Sequence, residues 1–152
     1  MKITNHLLRG DGVTFVSSPN RGEFYEEGAL DTIIIHYTAS KNAASAIQTL
    51  TDVEREVSAH LVIGRDGLIT QLLPFNVIGW HAGISRWGKR ESFNQYSIGI
   101  EIKGKRKKEE EQEGRANFIS SARRRRYRRA MLKMNSIITT TTTRRKRRRQ
   151  PR

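Results

Sequence analysis

The apolar residues of this chain gather in short blocks separated by polar, glycine-bearing stretches, and each block has a period of its own. Thr32 to His36 is a continuous β-branched and apolar run, which suits a buried strand. Ser40 then offers an N-cap for a helix over Asn42 to Thr51, where Ala43, Ala46, Ile47 and Leu50 recur at helical spacing. His60 to Gly64 and Leu68 to Leu73 flank Arg65-Asp66-Gly67, and Asp-Gly between two apolar runs predicts a hairpin. Ser97 to Ile102 alternates with period two, sending Ile98, Ile100 and Ile102 to one face and Ser97, Gly99 and Glu101 to the other. The first 30 residues, rich in glycine and turn signals around an apolar patch at Val13 to Val16, read as loops with little chemistry. The sum is an α/β domain with a mixed central β-sheet flanked by helices and with His36 and Glu101 near strand ends.

Charge divides the chain in two. Residues 1–102 hold 9 Lys/Arg against 11 Asp/Glu, a net of −2, whereas residues 103–152 hold 20 Lys/Arg against 4 Glu, a net of +16. The second segment contains a charge block at Lys105 to Glu113, near-continuous arginine at Arg123 to Arg129, and five threonines at Thr139 to Thr143. Such a composition buries too little apolar surface to fold alone and is expected to be a basic low-complexity tail. Its charge density suits salt-dependent binding to nucleic acid or another polyanion. With Phe118 and Tyr127 as its aromatics, it argues against a base-stacking surface.

At 152 residues one domain is expected. The absence of cysteine excludes a disulfide framework and thiolate chemistry and leaves the redox compartment open. No stretch approaches the ~20 apolar residues of a membrane span, and Arg9, Gly10 and Asp11 interrupt any signal-like h-region, so a cytoplasmic site of synthesis is expected, with export by another route open. Oligomeric state has no signature in the sequence.

Four segments stand in order: Ile35-His36-Tyr37-Thr38-Ala39, Ser58-Ala59-His60-Leu61-Val62-Ile63-Gly64-Arg65-Asp66-Gly67, Trp80-His81-Ala82-Gly83, and Ser97-Ile98-Gly99-Ile100-Glu101. Together they resemble the zinc-dependent N-acetylmuramoyl-L-alanine amidases of the type 2 family, a group that includes the peptidoglycan recognition proteins, over roughly residues 30 to 102. The resemblance implies a type 2 amidase-like fold, a peptidoglycan or muropeptide substrate, and Zn2+ as cofactor. It makes His36 a metal ligand, consistent with neutral imidazole on a rigid strand as a zinc donor. Alone, His36 reads first as a buried imidazole satisfied by a backbone carbonyl, and only with the other motifs does the ligand reading prevail.

The resemblance also gives Glu101 the task of assisting the attacking water; alone it is a strand-end glutamate paired with an arginine. Trp80, His81 and His60 become groove and hairpin residues that meet the muramyl-peptide, with core packing the plain reading of Trp80. Other members carry a tyrosine where this chain has Ala59, which shifts the electrostatic weight onto Glu101.

The family's remaining ligands, a histidine and an aspartate or cysteine, lie in a downstream segment of the form Gly-His-x-Asp-Ile-x-Pro. Residues 103–152 contain no His, Asp or Cys. The zinc site is therefore expected to be incomplete, with residues 1–102 the N-terminal portion of an amidase domain that exposes a sheet edge. The family arrangement brings none of His6, His60 and His81 beside His36. One origin for such a tail is translation out of frame, since histidine and aspartate codons read one nucleotide late become threonine codons. Translating the coding DNA past codon 102 in its other frames tests this, and absence of a Gly-His-x-Asp-like segment there would refute it. Impaired hydrolysis is the leading expectation; a metal-free peptidoglycan-binding module is the alternative.

Overall fold

The computed structural model describes residues 1–103; the basic segment and the expectations attached to it lie outside the described residues. Elements in chain order are β1 (Lys2–Thr4), β2 (Leu7–Arg9), β3 (Val13–Phe15), β4 (Arg21–Phe24), β5 (Thr32–Tyr37), α1 (Ala43–Thr51), β6 (Leu61–Ile63), β7 (Ile69–Gln71), β8 (Val77–Gly79), β9 (Arg86–Trp87), β10 (Arg90–Glu91) and β11 (Ser97–Ile102).

The main sheet runs β3-β7-β6-β11-β5. Its β6–β7 pair is antiparallel and the other three pairs are parallel, so the sheet is mixed, as the sequence pattern implied. Strand β11 lies between β5 and β6, which explains why it is apolar or small at nearly every position: a strand with neighbours on both sides and layers above and below has no solvent-facing residue to spare. Strand β5 forms the edge of this sheet among the described residues, with Ile35 and Tyr37 exposed.

One face carries Leu61, Ile63, Ile69, Ile98, Ile100 and Ile102, closed by Leu8 and Phe75 with Ile3, Val13, Tyr25, Leu30 and Ile33 around them. The other face carries Ala59, Val62 and Leu72 beneath Ala46 and Leu50 of α1. Among the described residues, then, a helix covers one face, while the N-terminal segments cover the opposite one.

The N-terminal 30 residues correct the loop reading, since they hold four short strands. Strands β1 and β2 form a hairpin whose turn residues Asn5 and His6 have φ of 49° and 63°. Two consecutive residues of positive φ make the kind of turn that matches strand twist, and asparagine tolerates that region well. Strands β3 and β4 exist because they pair with β7 and β8, far along the chain, and runs of three or four residues are too short to show a period.

The helix start differs in detail too. Asn42, rather than Ser40, is the cap: its side chain accepts from the Ser45 amide at 2.8 Å while the Ser45 hydroxyl accepts from the Asn42 amide at 3.2 Å, a reciprocal box that satisfies two otherwise orphaned donors. In the β6–β7 hairpin Gly67 has φ of 83° and Asp66 Oδ1 accepts from the Leu68 amide, which is the chemistry Asp-Gly predicts.

Ile100 is 1 % exposed and Ile35 44 % exposed. Ile100→Ala is expected to cost about 2–5 kcal/mol in urea unfolding, and Ile35→Ala well under half of that, because one leaves a cavity and the other leaves solvent. Equal costs would refute the central placement of β11.

Candidate functional site

His36 and Glu101 are Cα partners on the adjacent parallel strands β5 and β11. Paired residues of a parallel ladder project to the same face, so the register itself brings the imidazole and the carboxylate together. They line a cavity of about 580 Å3 whose wall also includes Thr38, Ser58, Trp80 and His81. Trp80 stands at 36 % exposure, and a hydrogen bond from its amide to Ser58 Oγ, with the Ser58 amide donating back to the Trp80 carbonyl, holds its backbone.

His81 is where the sequence expectation is corrected. It lies directly beside His36, its Nδ1 at 3.2 Å from His36 Nε2, with the rings meeting edge to face. Two devices put it there. The Asn94 side-chain oxygen accepts from the amides of His81 and Ala82, at 3.1 and 2.8 Å, and fixes the loop. Gly99 of β11 leaves the space the ring fills; a Cβ there would collide with the His81 ring. The alternation that sets Gly99 on the same face as Glu101 thus leaves room that the His81 ring fills.

His60 departs from its expected place at the groove. It is 0 % exposed and forms no part of the cavity wall. Its Nδ1 accepts from the Gly99 amide at 3.1 Å, so Nε2 carries the proton and donates to the Val77 carbonyl at 2.8 Å, with the Tyr25 hydroxyl nearby. Tyr25, stacked on His60, donates its own hydroxyl proton to the Ser97 carbonyl. A histidine so fully satisfied is a structural pin between β11, β8 and the segment after β4. Tyr25 and Asn94 are supporting residues that sequence reasoning missed, and Ser97 and Gly99, though part of a quoted segment, were not given the supporting roles they have here.

Burial governs the electrostatics. Desolvation pushes His60 down to about 4 against the help of the Val77 carbonyl, and pushes His81 down to about 4 against the Ser97 carbonyl. Both rings are neutral at pH 7. Desolvation likewise raises the Glu101 carboxyl, while the nearby His36 works in the opposite direction. A carboxylate with a raised pKa beside an open cavity has the character of a proton acceptor and donor.

A hydrolytic zinc centre needs three protein ligands with an open position. Among the described residues no group of three or more His, Cys, Asp or Glu is placed to hold a metal ion. His36 spends Nε2 on His81, and the basic segment offers neither histidine, aspartate nor cysteine. The described residues therefore do not by themselves fit a three-ligand zinc.

The depressed histidines have a stability consequence. A His60 that is neutral in the fold and protonated in the unfolded chain contributes fully above pH ~6.5, and that contribution drains away as pH falls towards about 4, a loss on the order of 3 kcal/mol. His81 acts in the same sense. Urea midpoints should decline through this window while the His60 ring nitrogens stay in their neutral pattern down to pH ~5. A ring that protonates near pH 6.5 in the folded chain would contradict the burial argument.

The model of the N-acetylmuramoyl-L-alanine amidase family matches residues 26–145, reaching past residue 102 into the basic segment. The 1,6-anhydro-N-acetylmuramyl-L-alanine amidase AmpD of Escherichia coli is 54% identical over 48 residues, covering 32% of this chain and 26% of that protein. The N-acetylmuramoyl-L-alanine amidase AmiD of the same organism is 36% identical over 83 residues, covering 50% of this chain and 29% of that one. The chain thus spans about a quarter of the length of the curated relatives it matches. A crystal structure of an AmpD derivative superposes with a TM-score of 0.57 at 30% identity, over 68% of this chain and 66% of that one. The solution structure of Citrobacter freundii AmpD gives 0.52 at 25% identity, over 88% and 76%. With its mixed sheet, its His36–Glu101 register and a match spanning most of its length, the chain belongs to the type 2 N-acetylmuramoyl-L-alanine amidase family.

Proposed function

We propose that the cavity between β5, β11 and α1 receives the muramyl-peptide of peptidoglycan, and that the reaction class of the site is hydrolysis of the amide between the lactyl group of N-acetylmuramic acid and L-alanine. The observation that carries this reading is the pairing of His36 with Glu101 across two parallel strands in one open cavity. In it Glu101 is the group that takes a proton from the attacking water and returns it to the leaving amine. Its half-buried carboxyl, raised by desolvation, suits both directions of transfer. Trp80 offers an apolar wall to the sugar or peptide, and His36 and His81 offer the polar edge.

The family is zinc-dependent in general, and among the described residues the ligand set falls short of that chemistry. Turnover by this chain is therefore very low or absent. The shortfall favours a second reading by the same observation, a peptidoglycan-binding module that holds the glycopeptide without cleaving it.

Calorimetry of the full chain with an N-acetylmuramoyl-L-alanyl peptide, followed by mass spectrometry of the mixture, tests both. Saturable binding is expected, with at most trace release of free peptide. Any release should drop about 100-fold or more in Glu101→Gln, the usual cost of removing a general acid–base group, while binding persists. Binding with no release, with or without added zinc, selects the binding module. No binding refutes the proposal.

A further inference from the structure

A second cavity, of about 590 Å3, lies along the same strand and shares none of its lining with the first. We propose that it is a saccharide subsite, binding an uncharged N-acetylated hexosamine next to the muramyl unit, with the Trp87 indole as its stacking platform. The inference rests on the reading of the His36–Glu101 cavity as the muramyl-peptide site.

Its position follows from the strand. Thr32, Ile34 and His36 alternate along β5 and project to one face. His36 lines the first cavity, and Thr32 and Ile34 line the second. At about 3.3 Å of rise per residue, Ile34 lies roughly 7 Å from His36 along β5. One extended ligand therefore reaches both cavities.

The β9–β10 hairpin supplies the opposite wall. Trp87 and Arg90 are Cα partners there and share one side of the hairpin, with Phe93 following them into the lining. This wall is fixed before a ligand arrives. The Ser92 amide donates to the Ser85 carbonyl and the Phe93 amide to Ser85 Oγ, each at 2.9 Å. Arg90 ties the hairpin to the start of β5 by donating to both Asp31 carboxylate oxygens, at 2.8 and 3.0 Å, with its guanidinium over the Tyr96 ring. Arg86 faces Glu91, Nε to Oε1 at 3.5 Å.

These ion pairs decide the class of ligand. Two guanidiniums opposite two carboxylates cancel in charge, and an acidic ligand would have to displace Asp31 or Glu91 to pair with either arginine. A guanidinium nevertheless carries five N–H donors. Asp31 engages one terminal nitrogen of Arg90, and Glu91 meets Arg86 at Nε, so each arginine has N–H groups beyond those in its ion pair. A wholly apolar ligand would strip water from such donors and return nothing. Ile34, Phe93 and the Trp87 ring, which is 82 % exposed, make the rest of the lining apolar and aromatic. A pyranose matches both halves: its C–H face lies flat on an aromatic ring, and its hydroxyl and acetamido oxygens accept from guanidinium without carrying charge.

Calorimetry of the full chain with two ligands tests the subsite: an N-acetylmuramoyl-L-alanyl peptide, and the same peptide on the disaccharide N-acetylglucosaminyl-N-acetylmuramic acid. The disaccharide ligand is expected to bind about 10-fold tighter, the scale of one aromatic contact. The basic segment meets the same peptide in both ligands, so the difference reports the glycan. Trp87→Ala should abolish the advantage and leave affinity for the single-sugar ligand unchanged, while Trp87→Phe, which keeps a ring, should retain most of it. The wild-type chain gives a readout that needs no variant: the Trp87 indole N–H signal should shift saturably as N,N′-diacetylchitobiose, which has no muramyl unit, is added. Equal affinities for the two muramyl ligands, an advantage that persists in folded Trp87→Ala, or a Trp87 indole unmoved by diacetylchitobiose would each overturn the proposal. If neither muramyl ligand binds, the function proposed for the first cavity fails, and the Trp87 response to diacetylchitobiose still decides the subsite.

Discussion

The site depends on the narrowness of one face of β11. Ser97 and Gly99 alternate with the isoleucines of the core and give that face almost no side-chain volume. The space so created is taken by two histidine rings from elsewhere in the chain. His60 receives the Gly99 amide, and His81 lies where a Gly99 side chain would be. A methyl group at residue 99 would displace the His81 ring, and with it the partner of His36. The Ser97 carbonyl adds to this by accepting from both Tyr25 and His81. Packing on the far face of the strand and chemistry on the near face are thus two consequences of one alternating hexapeptide.

Burial of imidazole has an energetic cost that this arrangement offsets by hydrogen bonding. A buried polar ring without partners loses its hydration with nothing in return. His60 has both nitrogens engaged, and His81 has its Nε2 on Ser97 and its Nδ1 on His36. The rings therefore rigidify the floor of the cavity instead of weakening it, and they stay uncharged, which leaves the Glu101 carboxyl, itself raised by desolvation, as the acidic group beside His36.

Much of this was legible in the sequence where the signal is local. The β-branched run of β5, the helical spacing of α1, the Asp-Gly hairpin and the alternation of β11 each carry their own period, and each formed as its pattern implied. That His36 and Glu101 lie near strand ends was legible, but their register across β5 and β11 was not, because no local pattern says which strands become neighbours. The N-terminal strands were not, because β3 and β4 owe their existence to partners far along the chain. His60 was misplaced at the groove because a histidine looks the same in sequence whether it faces solvent or is bonded on both nitrogens. His81 was expected away from His36 because nothing in Trp80-His81-Ala82-Gly83 says which strand leaves room for it; that information sits in Gly99 and in Asn94, which holds the loop.

Mapping a muramyl-peptide onto the protein by nuclear magnetic resonance tests the central claim most directly. As N-acetylmuramoyl-L-alanyl peptide is added to the full chain, the signals of His36, His81 and the Trp80 indole should shift together and saturate, while those of buried His60 hold nearly still. Shifts that leave His36 and His81 untouched, or that cluster on a surface away from the β5–β11 cavity, would contradict the account.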